Sequence, residues 1–143
     1  MLFRSERAIY LAGLTKDIRN FSEGVNTLVG ERGVSISGGQ KQRISIARAL
    51  LKEADILILD DSLSAVDSKT QMNIIQNIRN IRKNKSTIIA SHRLSLVSHA
   101  QEIIVMDNGK IVERGNHENL MRQNGWYATQ YQTQQLKEDE QND

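Results

Sequence analysis

Ile36-Ser37-Gly38-Gly39-Gln40-Lys41-Gln42-Arg43, read with the apolar run Ile56-Leu57-Ile58-Leu59 and the pair Asp60-Asp61 that closes it, decides the architecture of this chain. A serine followed by two glycines lets the backbone approach an anion closely, because neither glycine carries a Cβ. The stretch 41–52 that follows has helical character, with Ile44, Ile46, Ala47, Leu50 and Leu51 on or near one face. A helix therefore starts at the glycines. Its unpaired N–H groups and the positive end of its dipole would face any phosphate docked there, and Ser37 supplies a hydroxyl donor and an N-cap. Taken alone, a glycine pair before a helix is more often a plain turn.

The second feature sharpens the reading. Ile56-Leu57-Ile58-Leu59, bounded by Asp55 and Asp60, predicts a strand buried on both faces of a parallel sheet. Asp60 then stands at its carboxyl end, where open α/β sheets place their ligands and where a carboxylate can hold Mg²⁺. The competing reading is a strand-ending aspartate that opens a turn, but Asp61, Ser64 and Asp67 follow closely.

Taken in order, Ile36 to Arg43, Ile56 to Asp61, Ser64-Ala65-Val66-Asp67 and Ser91-His92-Arg93 resemble the signature motif, Walker B, D-loop and switch histidine of ATP-binding cassette (ABC) transporter nucleotide-binding domains. The resemblance runs from about residue 8 to about residue 135. Val29-Gly30-Glu31-Arg32-Gly33 looks like the X-loop of the exporter subgroup, which touches the coupling helices of a transmembrane domain. The resemblance implies ATP and Mg²⁺ as cofactors and a second nucleotide-binding domain as partner. It implies that Ser37, Gly38, Gly39 and Gln40 contact the γ-phosphate region of a nucleotide held by the opposite subunit. Asp60 would organise Mg²⁺, Asp67 would cross the dimer interface, and His92 would reach the γ-phosphate. For Asp67 a plain helix cap is equally compatible, and for His92 the bland alternative is a hydrogen-bonded strand-end histidine.

The sequence departs from the family pattern at two places. The residue after the Walker B aspartate is usually glutamate, which polarises the attacking water, and here it is Asp61. Aspartate is one methylene shorter, so its carboxylate falls short by about 1.5 Å, and misplacement by about 1 Å costs on the order of a hundredfold in rate. Asp61 followed by Ser62-Leu63-Ser64 resembles the degenerate-site subunit of heterodimeric exporters. Secondly, there is no G-x-x-x-x-G-K-[ST] phosphate loop, no adenine-stacking aromatic and no Q-loop glutamine ahead of the signature. The chain therefore reads as the C-terminal portion of a nucleotide-binding domain, with residues 1–7 a non-native start. On that reading it should neither bind ATP tightly alone nor complete its sheet, and open strand edges would favour aggregation.

Composition agrees with a modest single core. The 143 residues are 38% hydrophobic, and nineteen basic against seventeen acidic residues leave a net charge of +2, too small to argue for nucleic acid. The basic residues in 79–85 read as a solvated helix face. With no cysteine there is neither a disulfide nor a thiolate metal site. No apolar run approaches the roughly eighteen residues needed to span a bilayer, and the resemblance implies a place on the cytoplasmic face of the cell membrane as part of a transporter.

The expected fold is α/β, a partial P-loop NTPase with a mainly parallel sheet core, a helical subdomain, and a C-terminal hairpin plus helices. Residues 8–52 form the helical subdomain, 53–135 the C-terminal part of the ATPase core, and 136–143 a disordered acidic tail. Within these, helices are predicted over 8–20, 68–83, 94–100, from a cap at Asn116 to about 123 and from 125, a strand over 87–90, and a hairpin about Asn108-Gly109. His99 and His117 carry no motif and read as surface residues. Two other functions fit parts of the pattern. A chromosome-maintenance or DNA-repair ATPase shares a signature and Walker B but brings heptads, which are absent, and a non-catalytic regulatory fragment would have lost its phosphate loop altogether.

Overall fold

Where periodicity predicts one helix over residues 8–20, the structure has two: α1 (Leu2–Leu11) and α2 (Thr15–Asn20). It is a computed structural model and describes residues 2–30 and 33–140. Gly13 makes the break, with φ at +69°, a left-handed conformation that side-chain-bearing residues rarely adopt. A short 3₁₀ turn (Gly24–Asn26) follows, then α3 (Gly38–Leu51), β1 (Ile56–Asp60), α4 (Ser68–Ile81) and β2 (Ser86–Ala90). These belong to the first of two compact units, Met1–Ala90; the second is Ser91–Asp143.

In the first unit α1 packs against α3 and α4. The buried side chains include Ala8 and Leu11 from α1 with Ala12 just after it, Ile46 and Ala47 from α3, and Ile74, Ile75 and Ile78 from α4. The last three sit at helical spacing, the amphipathic stripe that makes α4 a helix. Gln71 is buried beside them and donates from Nε2 to the Leu63 carbonyl at 2.5 Å. Asn77 donates to the Leu11 carbonyl at 3.2 Å and ties the end of α1 to α4.

β1 and β2 pair in parallel, Ile56 opposite Ser86 and Asp60 opposite Ala90. Burial along β1 corrects the expectation of a strand covered on both faces. Leu57 and Leu59 are buried, whereas Ile56 and Ile58 are 60% and 64% exposed. The alternation of a strand puts these pairs on opposite faces, and among the described residues only one face is covered.

Arg82 also departs from expectation. Instead of a solvated cation it is a buried clamp at the end of α4. Its guanidinium donates to Thr87 Oγ1 (3.1 Å) and to the carbonyls of Ala54 (2.9 Å), Asp55 (3.1 Å) and Ser86 (2.8 Å). These acceptors lie where β1 and β2 begin, so one side chain fixes the strand starts against the helix end.

The second unit contains α5 (Leu94–Val97), β3 (Ile103–Asp107), β4 (Lys110–Gly115), α6 (His117–Gln123) and α7 (Trp126–Glu140). β3 and β4 form an antiparallel hairpin with an irregular register between Val105 and Met106. Its turn uses Asn108 at φ +47° and Gly109 at φ +75°, the two left-handed residues that a type I′ turn needs. Asn116 caps α6, accepting from the Asn119 amide at 2.9 Å. Leu94, Ile103, Val105, Leu120 and Tyr127 form the core of this unit, with Tyr131 packed against it. His117 is less of a surface residue than expected: Nδ1 lies 2.9 Å from the Tyr127 hydroxyl, and its ring packs edge-on to Tyr131. Burial, and then the neighbouring Tyr131, push the Tyr127 phenol up to about 12.

The tail expected to be disordered from residue 136 continues as helix to Glu140. Two contacts give the reason. Glu113 accepts from the Trp126 amide (2.5 Å) and the Tyr127 amide (3.1 Å), capping the start of α7, and Glu138 pairs with Arg93 at 3.2 Å near its end. Residues 141–143 lie outside the described residues.

Replacing Arg82 with methionine leaves four acceptors unmatched at the strand starts. The expected result is a loss of about 3 kcal/mol in urea-induced unfolding of the chain, with Lys83→Met, on the exposed neighbour, close to neutral.

Candidate functional site

The start of α3 is built by a reciprocal cap. The Gln40 amide donates to Ser37 Oγ (3.2 Å), and the Ser37 amide donates back to Gln40 Oε1 (2.8 Å). This capping box satisfies two orphan donors at once. The N–H groups of Gly38 and Gly39 remain at the open end, without a partner among the described residues. The Ser37 hydroxyl, while accepting from Gln40, still has its own proton to donate. Gln40, expected to reach a ligand, is committed inside the chain: its Nε2 donates to Asp17 Oδ1 at 2.8 Å.

Asp17, on α2, anchors the arrangement. Besides Gln40 it pairs with Arg43 at 2.6 Å, both side chains being about five-sixths buried. Arg43 also donates to the carbonyls of Gly13 (2.5 Å) and Gly39 (3.3 Å). Burial pushes the Asp17 carboxyl up, but the hydrogen bonds from Gln40 and Arg43 and the Arg43 charge outweigh it and leave it below the usual carboxylate value.

Against the other side of α3 lies the loop between Asp61 and Asp67. Gln42 spans the gap, donating from Nε2 to Ser64 Oγ (2.9 Å) and accepting at Oε1 from the Ala65 amide (2.9 Å). The backbones meet so closely that a Cβ on Gly39 would lie 2.6 Å from the Ala65 carbonyl oxygen, where the Gly38 position has ordinary room. Two sequence-predicted site segments are thus one mechanical piece.

Asp60 ends β1 with its carboxylate exposed. Asp61 follows at φ +44°, in the left-handed region that aspartate tolerates better than most residues, and its amide donates to the Ala90 carbonyl at 3.0 Å. Its carboxylate is exposed as well. Asp67 caps α4 by accepting from the Thr70 amide at 2.9 Å, and that bond holds its carboxyl below the usual range. Among the described residues no three His, Asp or Glu side chains group tightly enough to hold a metal ion. His92 belongs to the second unit; its side chain is exposed and its carbonyl accepts from Gln134 Nε2 at 2.9 Å. In residues 29–33, Glu31 and Arg32 lie outside the described residues; Gly33 donates to the Gly30 carbonyl at 3.1 Å.

The ABC transporter family model matches residues 11–64, the span holding Asp17, the α3 start and β1. The chain is 59% identical over 131 residues to the probable multidrug resistance ABC transporter ATP-binding/permease protein YheI of Bacillus subtilis, covering 92% of this chain and 22% of that protein. The chain belongs to the ABC transporter family. It is also 54% identical over 132 residues to the multidrug resistance-like ATP-binding protein MdlA of Escherichia coli, covering 92% of this chain and 22% of that one. With an ATP-dependent lipid A-core flippase of Shewanella frigidimarina the identity is 50% over 127 residues, 89% of this chain and 21% of the flippase. The solved structure of a bacterial Atm1-family ABC exporter with ATP bound superposes at a TM-score of 0.84 and 36% identity, over 94% of this chain and 23% of that one. The fold is thus part of the ABC ATPase, the P-loop NTPase class expected from sequence. The ABC transporter chain spans about a fifth of the length of the curated relatives it matches.

Two contributors to the arrangement around the start of α3 escaped the sequence reading, Asp17 and Gln42. The cap itself left a signal, since serine and a glutamine three residues on spell a capping box.

Gly39→Ala should cost about 1–3 kcal/mol in chemical unfolding because the Ala65 carbonyl must give way, while Gly38→Ala stays within about 0.5 kcal/mol of the parent. A pH series tests Asp17. Its folded carboxyl titrates below the ordinary 3.8, so its stabilisation is complete above that value and is lost as pH falls through the folded one. The stability gap between the parent and Asp17→Asn should stay constant from neutral pH to about 5 and close below about 4.

Proposed function

We propose that this chain is the signature-bearing part of an ABC exporter's nucleotide-binding domain, which couples ATP hydrolysis to transport across the membrane it faces from the cytoplasm. The observation that carries the reading is the exposed start of α3, where the Gly38 and Gly39 amides and the Ser37 hydroxyl converge without partners among the described residues. Such a helix end suits the terminal phosphate of a nucleotide held by a second nucleotide-binding domain. Gln40 then shapes the loop through its bonds to Ser37 and Asp17 instead of meeting the nucleotide.

Bound Mg²⁺ would neutralise charge on the phosphates, and Asp60, a single exposed carboxylate, suits an ion that keeps waters and phosphate oxygens as its other ligands. Asp61 takes the place of the water-polarising carboxylate and is too short for it. The Asp61 side belongs to a degenerate site, and the chain works as half of a heterodimer whose partner supplies glutamate there. Its intact Ser37 loop completes the partner's site. Asp67 caps α4 and faces the partner, His92 contacts the nucleotide's terminal phosphate, and residues 29–33 meet the coupling helices. Residues 8–52 form the helical subdomain and 53–135 the C-terminal part of the core. The isolated chain hydrolyses no ATP because this sequence holds no phosphate loop. The cargo class follows the relatives, whose names include multidrug resistance proteins and lipid A-core flippases.

In the assembled exporter Ser37→Arg fills the helix end with a cation and should cut steady-state ATP turnover by about a hundredfold. Turnover equal to the parent's would contradict the proposal. Asp61→Glu restores reach and should raise turnover at the degenerate site; no rise would remove the degenerate-site part.

A further inference from the structure

The loop holding His92 is gripped from α7, a helix to which the sequence assigns no part in the site. Gln134, in the second half of α7, donates from Nε2 to the His92 carbonyl at 2.9 Å and accepts at Oε1 from the Leu94 amide at 2.9 Å. One amide group thus holds both sides of Arg93. The Leu94 amide is the first donor of α5, whose cap position, Arg93, offers no side-chain cap, so without Gln134 that donor loses its partner. One turn further along α7, Glu138 pairs with the Arg93 guanidinium at 3.2 Å. From within the loop, Ser91 Oγ accepts from the Arg93 amide at 3.0 Å. Gln134 and Glu138 are four residues apart and share a helix face, and α7 itself is seated by Tyr127 and Ala128, both buried.

The His92 side chain has no such support. It is exposed, and no hydrogen bond restrains its ring among the described residues. Its direction is therefore set by its backbone, and its backbone by Gln134.

We infer that Gln134 is a positioning residue for His92, with the Glu138–Arg93 pair as a second latch, so that α7 sets the aim of the histidine at the nucleotide. This rests on the reading of His92 as the nucleotide-contacting histidine. A side chain whose aim is wrong by a fraction of an ångström binds substrate as before but reacts more slowly.

The test uses Gln134→Met, which keeps length and removes both hydrogen bonds, and Gln134→Glu, which keeps the acceptor for Leu94 and removes the donor to His92. In the complete exporter both should lower kcat about tenfold with the KM for ATP unchanged. On the chain itself the Leu94 amide should exchange its hydrogen about fivefold faster in Gln134→Met and at the parent rate in Gln134→Glu. Unchanged exchange in the β3 and β4 amides shows that the unit remains folded. If Gln134→Met and Gln134→Glu turn over at the parent rate while His92→Ala is inactive, the positioning role is overturned and the assignment of His92 stands. If His92→Ala turns over normally, the assignment of His92 fails and the inference falls with it.

Discussion

The missing Cβ at Gly39 is the constraint on which the site in the first unit depends. It lets the start of α3 lie directly on the Ala65 carbonyl, closer than any other residue type could come. Once the two backbones touch, Gln42 can reach both Ser64 and the Ala65 amide and lock them together. The opposite side of the helix start is held by Asp17 through Gln40 and Arg43. The open amides at Gly38 and Gly39 are therefore presented by a frame fixed on two sides. Donors held in place before a ligand arrives need no reorganisation when charge develops, which is where electrostatic stabilisation is most effective. A displacement of the α3 start is transmitted to the loop before Asp67 because no slack exists between them.

Much of this was legible in the chain itself. The helix start, the strand ending in Asp60, the Asn-Gly hairpin and the Asn116 cap all follow from short-range rules, where a few neighbouring residues determine the backbone. What escaped was non-local. Nothing in the sequence around Asp17 says that it pairs with a residue 26 positions away, and Arg82 reads as one more exposed cation in a basic stretch until its acceptors 27 and 28 positions upstream are known. Gly13 shows the limit of periodicity: the apolar spacing over residues 8–20 continues through a backbone conformation that ends a helix. At the end of α7 the residues after Leu136 are polar and acidic, so composition alone predicts disorder where the pairing of Glu138 with Arg93 holds a helix. Burial of β1 was overestimated because four consecutive apolar residues look alike whichever face is covered.

The residue types at the site divide the chemistry unevenly. Ser37, Gly38 and Gly39 offer neutral donors on a helix dipole, suited to an anion and indifferent to pH. Asp60 and Asp61 offer carboxylates at a strand end, and the left-handed backbone of Asp61 favours the shorter acidic side chain at the place where family members use the longer one. On the proposed reading, a donor loop of this kind beside a short carboxylate serves to complete another subunit's site more than to run its own.

The most direct test of that account is the accessibility of the α3 start in the assembled transporter. The chain has no cysteine, so Ser37→Cys places a single thiol there. With ATP and Mg²⁺ bound and hydrolysis slowed by a substitution in the partner subunit, maleimide labelling of that thiol should slow by at least about tenfold relative to the nucleotide-free state. Labelling at the same rate in both states would mean that the helix start faces no nucleotide and no second subunit, and the account would be wrong.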